Sequence, residues 1–142
     1  MFDITTQAVA PTASIHIKNA AGELLFADAE RSLPVKIELY GPGSVQFGVN
    51  ESKQTARSLR RMNENDMKLT APDFEERLRE TADDLASVTK GFINFDYPPA
   101  GGAQGHDLFA AVYGDITLGF IVKQVQKTLA DWSSFKVGSG TN

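Results

Sequence analysis

From Ser14 the chain alternates. Ile15 and Ile17 fall on one side of "SIHIKN" while Ser14, His16 and Lys18 fall on the other, the period of two that a half-buried strand requires. "NAAGE" then turns the chain, and "ELLFAD" and "LPVKIELYG" are two further strand-like runs. The second of these puts Val35, Ile37 and Leu39 on one face and Lys36 and Glu38 on the other. Residues 14–40 are predicted to form a small antiparallel sheet, as a hairpin or a three-stranded meander. "GPG" at 41–43 closes it, and Ser44 is placed to cap a helix running to about Met62. That helix is only weakly amphipathic, through Val45, Val49, Ala56 and Leu59.

Beyond the polar linker "NENDMK" the period changes to that of a helix. Thr70-Ala71-Pro72-Asp73 resembles a capping box, and Phe74, Leu78, Ala82, Leu85 and Val88 recur three or four apart, predicting a helix over about 71–90. "GFINFDYPPAGGAQG", 91–105, is rich in glycine and proline and reads as a surface loop. A short helix, "HDLFAAVYG", follows. Asp115 can cap a final helix whose stripe is Leu118, Ile121, Val122, Val125, Leu129 and Trp132. The expected fold class is α+β: a small N-terminal antiparallel β-sheet followed by about four α-helices. It forms a single domain over 14–135, β-rich to 40 and helical from 44, with a flexible arm at 1–13 and a flexible tail at 136–142.

Charge alters this picture locally. Residues 44–62 hold four bases and one acid, and residues 71–90 hold six acids and three bases, so these helices carry +3 and −3. Side by side they would complement each other, whereas as solvated faces they need no contact. The whole chain, at −4 with a pI near 5.1, is a poor nucleic-acid binder, and Arg57, Arg60 and Arg61 lack the interleaved aromatics that stack bases. No run of about 18 apolar residues occurs, so no membrane partner is expected.

Candidate chemistry is thin. The absence of cysteine removes thiolate nucleophiles and cysteine-bearing metal sites, and His16 and His106 lie far apart without metal-ligand spacing. "YGPGSVQFG" places glycines before a helix but lacks the lysine of a phosphate loop and the third glycine of a dinucleotide fingerprint. Asp83 and Asp84 are consecutive on a helix, about 100° apart, and read as part of a solvated acidic face. No catalytic, metal or cofactor residues are assigned, and the chain is expected not to be an enzyme. Partner binding is the remaining class. Its candidate anchors are Trp132 and Phe135, at the end of the last stripe, with Phe92, Phe95 and Tyr97 in the loop region.

The ordered series "GELLF", "VKIELYGPGS", "DDLASVTKGFINFDY", "HDLFAAVYGD" and "LGFIVKQVQKTLADWSSF" resembles the tail assembly chaperones of long-tailed bacteriophages and prophages. The likeness covers about residues 14–48 and 82–135. It implies a non-enzymatic protein of the host cytoplasm, without cofactor, that binds the helical tape-measure protein, keeps it soluble and helps recruit tail-tube subunits. Self-association is open on this reading. The β-rich segment 14–40 departs from an all-helical version of the family, which leaves a small structural protein retained in the virion as the alternative.

Overall fold

A computed structural model describes residues 1–66 and 72–137. Its strands are β1 (Thr12–His16), β2 (Lys36–Tyr40) and β3 (Thr89–Ile93), and its helices are α1 (Val45–Glu64), α2 (Phe74–Ser87), α3 (His106–Tyr113) and α4 (Gly119–Leu129). The strands form one antiparallel sheet in the order β1-β2-β3, with Ile15 opposite Ile37 and Ile37 opposite Phe92. The α+β class is as expected.

The third strand comes from elsewhere in the chain than the pattern indicated. "ELLFAD" contributes only isolated bridges, Lys18 to Leu24 and Phe26 to Pro34. The partner of β2 on its other side is "TKGFI", 89–93, assigned from sequence to the end of a helix and the start of a loop. Thr89, Phe92 and Ile93 suit a pleated surface. α2 ends at Ser87, and the Thr89 hydroxyl donates to the Leu85 carbonyl at 2.8 Å, closing the helix where the strand begins.

Local chemistry sets the other boundaries. Ser44 Oγ accepts the Phe47 N–H at 3.2 Å and donates to the Gly41 carbonyl at 2.7 Å, joining sheet corner to helix cap. α2 is capped by Asp73, which takes the Glu76 N–H at 2.8 Å. Asp73 is thus the cap itself, not the third position of a box, and Thr70 lies outside the described residues. Asp115 caps a 3₁₀ turn, Ile116–Leu118, that leads into α4, and a second such turn, Trp132–Phe135, follows it.

The arm is shorter than predicted. Ala13 is buried, Val9 packs against the core, and the Ala10 N–H donates to the Phe135 carbonyl at 2.7 Å. Phe2 and Ile4 remain exposed. Of the predicted tail, Lys136 and Val137 are exposed and 138–142 lie outside the described residues.

Ile17, Ile37 and Leu39 from the sheet side meet Leu85, Val88, Val112, Ile121, Val125 and Leu129 in one core. Tyr113 is fully buried there with its hydroxyl 2.7 Å from Thr89 Oγ1, and that burial pushes its phenol far above its ordinary pKa. Gly41 is required by packing, since a Cβ there would sit 2.4 Å from the Phe135 ring.

Candidate functional site

The aromatic side chains singled out from sequence divide into inward and outward groups. Phe135 is 0% exposed, so it is a core residue and not a free anchor. Its place in a 3₁₀ turn after α4 swings it under the Gly41 corner. Phe92 stacks on Phe95 with centroids 4.5 Å apart and meets Phe109 at 4.7 Å, which pins the segment after β3 against α3. The Tyr97 hydroxyl donates to Asp115 Oδ2 at 2.7 Å, which raises the phenol's pKa and ties the loop to the turn before α4. These three rings fasten the fold. Trp132 alone points out, 58% exposed.

The opposite charges of α1 and α2 meet. Lys53, Arg57 and Arg61, spaced by four, share one face of α1. Lys53 Nζ reaches Asp83 Oδ2 at 2.8 Å, and the Arg57 fork takes both oxygens of Asp84, at 2.6 and 3.1 Å. Arg57 also reaches Glu80 at 3.3 Å, and Arg61 pairs with Glu76 at 3.1 Å and with Glu80. His106 Nε2 lies 3.0 Å from Asp83 Oδ1. Asp83 and Asp84 therefore do not form a merely solvated face.

The electrostatics follow this ladder. The hydrogen bond from Lys53 holds Asp83 below the usual carboxylate range. At Glu80 partial burial pushes upward, and Arg61 and Arg57 together outweigh it, leaving the group low. The hydrogen bond to Asp84 raises the Arg57 guanidinium further.

Phe47, in the first turn of α1, packs against the core, but beyond it the helix turns its charges inward and most of its apolar residues outward. Val45, Val49 and Leu59 are 79%, 63% and 57% exposed. Gly48, Ser52, Thr55 and Ala56 are exposed beside them, so the outer stripe from 45 to 59 is mostly apolar or small, with the carboxylate of Glu51 at its edge. Within α1 the one buried residue is Asn50, 7% exposed, whose Oδ1 has no hydrogen-bond partner among the described residues. Asn50 lines a cavity of about 230 Å³ with Val45, Gln46, Val49, Lys53 and Ser87, between the first half of α1 and the end of α2. Sequence reading found the apolar positions of α1 but not their direction. The signal was the four-residue spacing of Lys53, Arg57 and Arg61 against an acidic helix.

The other candidates have local roles. His16 Nε2 lies 2.7 Å from the Leu25 carbonyl, and its ring meets Phe26 edge-on, so it fastens the 17–25 excursion. Among the described residues no group of three or more His, Asp or Glu side chains is arranged to hold a metal ion, and no single helix is long and apolar enough to cross a membrane. Comparison with protein-family models, curated proteins and solved structures finds no match.

Proposed function

We propose that this protein is a non-enzymatic tail assembly chaperone of a long-tailed bacteriophage, which binds the helical tape-measure protein and helps bring tail-tube subunits to it. Two lines support the reading: the motif resemblance set out above, and one structural observation that carries it, the uncovered apolar stripe of α1. A helical client lays an apolar face into such a surface by residues at helical spacing. Gly48, Ser52 and Ala56, four apart, let its backbone come close, and Val45, Val49 and Leu59 supply the apolar contact. Burying an exposed aliphatic side chain contributes about 1.5–3 kcal/mol, so three of them, set against the cost of association, give a modest and reversible affinity. That suits a chaperone, which must release its client.

Co-expression tests the proposal. With this protein present, the tape-measure protein is expected in the soluble fraction, and the double variant Val49→Asp, Leu59→Asp is expected to return most of it to the pellet. Both positions face water, so circular dichroism should show an unchanged fold. A client equally insoluble with and without the wild-type protein refutes the reading. Mass spectrometry of purified particles separates the alternative, since stoichiometric presence there would assign the protein to the virion.

A further inference from the structure

The sheet has an open edge along β1. Hydrogen-bonded pairs alternate along an antiparallel ladder. The Gly41 N–H donates to the Pro11 carbonyl at 2.8 Å and the Ile17 N–H to the Val35 carbonyl at 2.9 Å, so the odd-numbered residues of this stretch bond toward β2. The even-numbered ones face away from it. At one end Ala10 donates its N–H to the Phe135 carbonyl. At the other, the Gln124 amide serves both groups of Lys18, accepting its N–H at 2.9 Å and donating to its carbonyl at 2.8 Å. Between these two caps, the backbone N–H and C=O groups of Thr12, Ser14 and His16 have no hydrogen-bond partner among the described residues. A groove of about 460 Å³ follows the same edge, lined by Ser14, Ile15, His16 and Lys18 and, from α4 and the turn after it, by Thr128 and Ser133.

The two edges of the sheet differ. β3 carries Lys90 and a register shift in its pairing with β2, both of which discourage a further strand. β1 pairs with β2 without a shift, and Thr12–His16 contains no lysine, acid or proline. Ile15 lies opposite the fully buried Ile37, yet is itself only partly buried where the groove passes it.

We propose that a second copy of this chain completes the sheet, its β1 running antiparallel to this β1 about a two-fold axis at Ser14. The symmetry of the unpaired window selects this occupant. The caps at Ala10 and Lys18 lie equally far in sequence on either side of Ser14, so a two-fold axis there sets every free residue against another free residue. Thr12 falls opposite His16 of the other copy, and Ser14 opposite Ser14. Each such pair exchanges two hydrogen bonds, so the whole window is satisfied at once. The side chains agree with this register. On the core face Ile15 falls opposite the small, apolar Ala13, and no two like charges are brought together. The contact is closed and self-complementary. It uses no residue of α1, so it does not rest on the client reading.

Cross-linking reads the register directly, because the chain has no cysteine of its own. Ser14→Cys places two thiols across the axis with Cα atoms about 5.5 Å apart, within disulfide reach, and mild oxidation should convert most of the protein to a covalent dimer. In Thr12→Cys the two thiols stand four residues out of register, about 13 Å apart, and should not cross-link. Sedimentation velocity of the wild-type chain over a concentration series should show a reversible monomer–dimer equilibrium. Ser14→Pro removes the central donor of each copy while leaving the ladder to β2 intact, and should weaken association at least about tenfold, with circular dichroism checking the fold. The double variant Val49→Asp, Leu59→Asp should dimerise like the wild type. A wild-type chain that stays monomeric throughout overturns the proposal. So does cross-linking at Thr12 as fast as at Ser14, a folded Ser14→Pro chain that dimerises undiminished, or loss of the dimer in the α1 double variant. Protection of the Ser14 amide that appears only on adding the tape-measure protein would also overturn it, giving the edge to a strand of the client.

Discussion

The helix α2 separates two interfaces of opposite character. On one side Ala82, Leu85 and Ala86 enter a dry core with Ile37, Leu39 and Val125. On the other side Glu76, Glu80, Asp83 and Asp84 meet Lys53, Arg57 and Arg61 of α1. The first interface is sealed by apolar burial, which has no charge to titrate and is not screened by salt. The second is held by partly exposed ion pairs, typically about 0–1 kcal/mol each and screened by salt. Such a seam orients α1 while leaving Val45, Val49 and Leu59 in water. The core thus provides stability, and the charged seam keeps an apolar surface facing water.

Perturbing the two sides should produce unequal effects. Ile37→Ala, at a fully buried site, should lose about 2–5 kcal/mol of global stability in chemical denaturation. Gly41→Ala forces a methyl toward the Phe135 ring and should cost about 1–3 kcal/mol in the same experiment. Arg57→Met removes the central rung of the ladder and should cost about 1 kcal/mol. Hydrogen exchange should show that loss in α1 amides while β2 protection hardly changes.

Acid provides the subtlest separation. The Asp83 and Glu80 carboxylates are held below their ordinary values, so their contribution is present above the unfolded carboxylate pKa, near 4, and is lost as pH falls through the lower folded values. From pH 4 downward, α1 amides should exchange faster relative to those of β2, and molar salt at neutral pH should act in the same direction. Equal acceleration of both elements would show that seam and core form one cooperative unit.

Much of this fold could be read from local pattern. The alternation at 14–17 and 35–39, the Ser44 cap and the stripe from Ile121 to Leu129 each required only near neighbours and a period. β3 was not legible because a five-residue run after a helix gains strand geometry only by pairing with β2, about fifty residues earlier. The candidate site was legible in composition but not in placement. Trp132 and Phe135 sit three apart in one turn, yet one is exposed and the other fully buried, and the difference lies in the Gly41 corner that receives the Phe135 ring.

The same division holds for α1. Local spacing established that this segment is a weakly amphipathic helix, with Val45, Val49, Ala56 and Leu59 along one side, because a 3.6-residue period is a property of the chain. Which side would face the protein was settled by α2, whose outer face was already acidic while its inner face had been taken by the core. Opposite charge then drew the basic side of α1 inward, leaving Val45, Val49 and Leu59 in water. Periodicity divides a helix into faces, but the direction in which each face points depends on what the rest of the fold has left unpaired.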